Sequence, residues 1–196
     1  MKRAAAGTVR IIGGLWRGRR LLVPEAAGLR PTSDRVRETL FNWLMPFIEG
    51  AACVDLFAGS GALGFEAASR GAARVVMIEK SVVLVRALRR TVEKLGAESI
   101  HIVHADALEW LGGAANPYDI VFLDPPFHED LLPACCARLV SKQWLADNAL
   151  VYVETRKNAL RSGWLSNWRI WRQGCAGGVS YYLLQTQITK TKQAPQ

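Results

Sequence analysis

Asp119-Ile120-Val121-Phe122-Leu123-Asp124-Pro125-Pro126-Phe127 decides how this chain is read. The apolar run up to Leu123 reads as a buried parallel strand. The chain leaves it through an acid, two prolines and an aromatic ring. Proline fixes φ and lacks an N–H, and the residue before it is held extended. The result is a stiff ledge at a strand's C-terminal end, where ligands of open α/β sheets bind. A carboxylate that accepts N–H bonds, beside a ring that stacks on a base, suits chemistry on an exocyclic nucleobase amine. Accepting those bonds returns electron density to a nitrogen whose lone pair is otherwise delocalised into the ring. The plainer alternative is a strand-to-helix turn whose Asp caps the helix.

Upstream of the ledge, three more strands end in acids. Ala52 to about Leu56 is a strand containing Asp55, followed by a glycine turn and a helix to about Arg70. Arg74 to Ile78 is a strand ending in Glu79, followed by a helix from Val82 to Lys94. Ile100 to Val103 is a strand leading to Asp106 and a short helix to about Leu111. One such acid is commonly a helix cap. One on each of four consecutive strands points to a ligand lying across their ends. Downstream, Leu131 to Val140 is helical, Ala149 to Glu154 is a fifth strand, and Trp168–Arg172 and Val179–Gln187 form a closing antiparallel pair. Alternating strands and helices predict an α/β fold with a seven-stranded, mostly parallel sheet.

Gly59-Ser60-Gly61-Ala62-Leu63-Gly64 fits G-x-G-x-x-G, with Glu79 about twenty residues on. The pattern lets the backbone approach a ligand and places an acid on ribose hydroxyls. A dinucleotide and an adenosine-bearing methyl donor both need that much. Asp55 favours the methyl donor, because a carboxylate inside the first strand suits a ligand carrying an ammonium group. Asp106 is placed to accept from an adenine amino group. The Asp124 ledge has no role in hydride transfer, which counts against a nicotinamide oxidoreductase.

The net charge of +8 is unevenly placed. Residues 1–37 hold nine Lys or Arg and two acids, a net +7, leaving +1 for the rest. Such a patch is the electrostatic footprint of a nucleic-acid binder; a solvated arm is the alternative. Val9–Ile12 and Leu21–Val23 flank a glycine- and arginine-rich turn, which predicts a β-ribbon. The turn would present Trp16, Arg17, Arg19 and Arg20 to solvent, the arginines for phosphates and the ring for a base. Packing of Trp16 onto the main domain is the competing reading. Beyond it, Val36, Leu40, Trp43, Leu44 and Phe47 fall at helical spacing, with Thr32, Ser33 or Asp34 as cap. Arg35, Arg37 and Glu38 lie on that helix's polar face, and Pro46 should disturb its end.

Asp55-Leu56-Phe57-Ala58-Gly59-Ser60-Gly61 together with the Asp124 ledge resembles the class I S-adenosylmethionine-dependent methyltransferases acting on exocyclic amines. The fuller match is narrower. Arg10-Ile11-Ile12-Gly13-Gly14, Arg17-Gly18-Arg19, Arg30-Pro31-Thr32 and Asp34 through Asn42 resemble the RsmD family, across residues 9–187. These are 16S rRNA (guanine-N2) methyltransferases, with guanine 966 as the target in the family's name. The resemblance implies a Rossmann-like class I methyltransferase fold carrying an N-terminal basic ribbon. It implies S-adenosyl-L-methionine as methyl donor, with no metal, and 16S rRNA in the small subunit or an assembly intermediate as partner. Asp55, Gly59 and Gly61 would line the methionine side, Glu79 hold the ribose and Asp106 the adenine. Asp124 would lie at the methyl, accepting with the Pro125 carbonyl from the guanine amine, while Phe127 stacks on the base. Arg10, Arg17, Arg19 and Arg20 would contact RNA, and Thr32 and Arg35 are candidates for closing over the cofactor. Many guanine-N2 enzymes carry Asn-Pro-Pro-Tyr, and Asp-Pro-Pro-Tyr is common among adenine-N6 enzymes. A DNA adenine-N6 methyltransferase and a non-catalytic RNA-binding protein on the same fold are therefore the alternatives.

The remaining features bound the answer. No apolar run reaches the ~20 residues of a membrane span, and no signal-length apolar core follows the N-terminus. Cys53, Cys135, Cys136 and Cys175 lack metal-ligand spacing and read as reduced core thiols of a cytoplasmic protein. No partner helix stands out, so a monomer is expected. The chain divides into residues 1–29 (arm and ribbon), 30–187 (catalytic domain) and 188–196 (polar tail).

Overall fold

Strand runs that are apolar at every position need cover on both faces, and the fold supplies it. The computed structural model describes residues 7–24, 32–127, 129–157, 165 and 168–186. The loop before the first helix, His128, Trp164 and the polar tail lie outside the described residues. Strands β1 (Gly7–Arg10) and β2 (Arg20–Val23) form the ribbon, followed by helix α1 (Asp34–Ile48). The main sheet begins with β3 (Ala52–Asp55), α2 (Ala62–Ser69), β4 (Arg74–Glu79), α3 (Val82–Leu95) and β5 (Ile100–His104). It continues with α4 (Ala107–Leu111), β6 (Tyr118–Leu123), α5 (Leu132–Ser141), β7 (Leu145–Arg156), β8 (Trp168–Ala176) and β9 (Val179–Thr186).

The spatial order is β5-β4-β3-β6-β7-β9-β8. Neighbours from β5 to β7 pair in parallel, and β9 runs antiparallel to both β7 and β8. The chain builds outward from β3 to β5, then returns to β6 on the other side of β3. That reversal opens a crevice at the C-terminal ends of β3 and β6.

Strand alternation divides the core into two layers. Cys53, Val75, Met77, Ile120, Phe122 and Leu150 face a cluster shared with α1 and α2. Val54, Val76, Ile78, Val121, Leu123 and Val151 face a second cluster with α4 and α5. All eight residues of α2 are buried, because the ribbon covers its outward side. Val9, Ile11, Leu21 and Val23 form the ribbon's inner face and join the first cluster.

Three sequence expectations need correction. Trp16 does not point to solvent; it is 7% exposed and packs in the first cluster. Its backbone N–H donates to Ser69 Oγ at 2.9 Å, and Gly14, at φ +74°, brings the turn against Ser69 so closely that a Cβ would stand 1.8 Å from the Ser69 carbonyl oxygen. Arg37 is not on a solvated face but is 1% exposed, turned toward buried Glu66 of α2. Helix α1 ends at Ile48, two residues beyond Pro46, in keeping with a proline near its end. Cys175 is exposed, unlike the three buried thiols. Among the described residues, no helix is long and apolar enough to cross a membrane.

Candidate active site

A cavity of about 540 Å³ opens at the C-terminal ends of the parallel strands. Its acids follow the sheet order: Asp106 after β5, Glu79 ending β4, Asp55 ending β3, Asp124 after β6 and Glu154 in β7. The glycine turn lines it through Gly59 and Ser60, and Pro125, Pro126 and Phe127 line it from the ledge. Ledge and glycine turn therefore face one space.

Each acid is fixed differently. Glu79 accepts from the Gly59 N–H at 2.8 Å and the Ser81 N–H at 2.7 Å, which locks the glycine turn to β4. Asp106 caps α4: Oδ1 accepts from the Leu108 and Glu109 N–H groups at 2.8 and 3.2 Å. The cap and the cavity wall are thus one residue. Asp55 is 1% exposed and accepts from the Phe57 N–H at 3.3 Å. It has no ion-pair partner among the described residues, and burial lifts its carboxyl from the usual 3.8 to about 7, with a smaller push from Glu79. A buried carboxylate without a cation, in a cavity wall beside a glycine turn, fits a ligand that brings its own ammonium group.

Asp124, itself half-buried, joins a small network of buried side chains. The Thr32 hydroxyl lies 3.2 Å from Asp124 Oδ2 and 2.9 Å from Glu154 Oε1, and the Tyr152 hydroxyl donates to Glu154 Oε1 at 2.7 Å. Burial and then the charge of Glu154 hold the Asp124 carboxyl well above its usual range. Thr32 is fixed in turn by Arg37, whose Nε donates to the Thr32 carbonyl at 3.3 Å. Across the mouth, Lys80 Nζ meets Glu129 Oε1 at 3.3 Å.

Two predicted residues are adjacent in sequence to lining residues but do not line the cavity themselves. Gly61, at φ +78°, starts α2, and a Cβ there would lie 2.6 Å from the Phe65 ring and 2.7 Å from Leu88. Its missing side chain leaves the space that Phe65 and Leu88 occupy. Arg35 is exposed on α1, one helical position from the lining Val36. On the ribbon, Arg17, Arg19 and Arg20 are exposed, while Arg10 is exposed and bridged to Asp34 at 3.2 Å. Sequence reasoning missed Glu154 and Glu66. For Glu154 a signal existed: it closes the apolar run Ala149–Val153, as Glu79 closes its own strand.

Residues 9–185 match the family described as Conserved hypothetical protein 95. The chain is 47% identical over 185 residues to the Ribosomal RNA small subunit methyltransferase D of Escherichia coli, covering 94% of this chain and 93% of that protein. The chain belongs to the ribosomal RNA small subunit methyltransferase D family. The solved structure of yhhF from Escherichia coli superposes with a TM-score of 0.85 at 46% identity, covering 92% of this chain and 98% of that one. The class I methyltransferase fold of the family extends further: SMU.776, solved in complex with SAH, superposes with a TM-score of 0.70 at 13% identity, over 95% of this chain and 57% of that one.

Proposed function

We propose that this protein methylates the exocyclic N2 amine of a guanine in small-subunit 16S rRNA, expected at guanine 966, using S-adenosyl-L-methionine. The observation that carries the reading is the shared cavity: the Asp124 ledge faces the Asp55–Gly59–Glu79 wall. Asp55 and Gly59 would hold the methionine end of the cofactor, Glu79 the ribose and Asp106 the adenine. Bound there, the cofactor supplies an electrophilic methyl group, chemistry that needs no metal.

The chain's own residues then do three things. Asp124 and the Pro125 carbonyl accept the amine N–H bonds and raise the nucleophilicity of nitrogen. Phe127, half-buried in the cavity wall, stacks on a base that is unpaired or extruded from its helix. The Asp124 carboxylate, whose proton affinity burial raises, or water, takes the proton released by transfer. Holding both partners in line can remove ~7–11 kcal/mol of barrier. Exposed Arg17, Arg19 and Arg20 bind RNA phosphates. The protein works as a monomer in the cytoplasm, on the small subunit or an assembly intermediate.

The test adds labelled S-adenosylmethionine to small subunits from cells lacking this protein, then maps the label. N2-methylguanosine at a single 16S position is expected. Methyladenine in DNA, or no cofactor binding by calorimetry, would favour the alternatives.

A further inference from the structure

Glu154 is the acid for which the cofactor leaves no role. Along the sheet, Asp106, Glu79 and Asp55 precede Asp124, and Glu154 follows on β7. If the cofactor spans the first three and presents its methyl at Asp124, Glu154 lies on the side from which the base enters. It lines the same cavity though only 4% exposed. Its position is fixed, because Oε1 accepts from both the Thr32 and Tyr152 hydroxyls. One Thr32 hydroxyl separates it from Asp124.

Guanine presents two adjacent donors on its Watson–Crick edge, N2–H₂ and N1–H. Adenine presents an amine beside N1, which is an acceptor. Two neighbouring acids match the first pattern and repel the second. We propose that Glu154 is a specificity residue that accepts the guanine N1–H while Asp124 accepts from N2. This rests on the guanine-N2 reading above. It explains why a ledge beginning with Asp, a form shared with adenine-N6 chemistry, can serve guanine: the discriminating acid is on the next strand. It also gives the acid pair a purpose. Adjacent carboxyls oppose each other's ionisation, and two N–H donors side by side favour both anions.

The test uses two rRNA fragments identical except at the mapped position, one with guanine and one with 2-aminopurine. The latter keeps the C2 amine but has an acceptor at N1. Equilibrium affinity and methyl-transfer rate are measured for wild type and Glu154→Gln. Wild type should prefer guanine by about 10²-fold. Glu154→Gln should narrow that ratio below about tenfold, since its amide can donate to an N1 acceptor. Wild type that takes both RNAs equally overturns the proposal, and this arm needs no folded variant. So does a Glu154→Gln protein with unchanged cofactor affinity and an unchanged ratio. Wild type that methylates neither RNA contradicts the reaction itself, and the affinity ratio then decides the role of Glu154.

Discussion

Gly13 and Glu66 lie 53 positions apart, yet the Gly13 N–H donates to Glu66 Oε1 at 2.8 Å. The same carboxylate accepts from the Ile12 N–H at 2.8 Å and Arg70 Nε at 2.7 Å, and Arg37 Nη1 stands 3.7 Å away. Glu66, 0% exposed, is therefore the clamp that holds the basic ribbon on α2. Removing it strands the Ile12 and Gly13 N–H groups, takes the ion-pair partner of Arg70, and leaves Arg37 Nη1 buried with no carboxylate nearby, though Arg37 Nη2 keeps Asp34 at 2.6 Å. Glu66→Ala should cost about 3–5 kcal/mol in chemical denaturation. RNA affinity should fall before cofactor affinity does. Unchanged stability would show that the ribbon is held by its apolar face alone.

The exposed ribbon arginines should act through salt-dependent phosphate contacts. Each contact contributes about 0.7 to 0.9 to the slope of log affinity against log salt. Replacing Arg17, Arg19 and Arg20 with Ala should flatten that slope by roughly two to three and leave cofactor affinity unchanged. A titration across salt concentrations checks this. An unaltered slope would remove these residues from the interface.

Asp55 should make cofactor binding pH-dependent. Its carboxyl titrates near 7 in the folded protein, against 3.8 ordinarily, chiefly through burial. A ligand ammonium needs the ionised form. Affinity should rise about tenfold per pH unit from about pH 5 toward 7, then level off. Stability has the opposite trend: between about pH 4 and 7 the folded state holds a proton that the unfolded chain has lost, so stability falls as pH rises. Asp55→Asn should flatten both profiles. Calorimetry and denaturation across that range are the checks, and a flat wild-type affinity profile would take Asp55 out of the ammonium site.

The acids ending β3 and β4, the one after β6 and the one leading into α4 were legible because each closes or follows an apolar run punctuated by Gly, Ser or Pro. Local pattern carries that much. What it could not carry was contact across long stretches of chain. Trp16 sits among glycines and arginines that look solvated, and only Ser69, far along the chain, shows that its turn folds inward. Arg37 occupies a polar helical position by spacing, but that face of α1 meets Glu66. Gly61 fits the G-x-G-x-x-G pattern, but that the space its missing side chain leaves is occupied by Phe65 and Leu88 is a contact no local pattern shows. Glu154 was visible as a strand end, but its pairing with Asp124 depends on Thr32, which arrives from before α1.

The ledge carries the account, and Asp124→Ala tests it most directly. Methyl transfer to small subunits and S-adenosylmethionine affinity are measured on one preparation of this variant. Transfer should be lost while cofactor affinity stays nearly that of wild type. Equal loss of both, or retained transfer, would mean that the acid supports the fold or the cofactor and not the reacting amine.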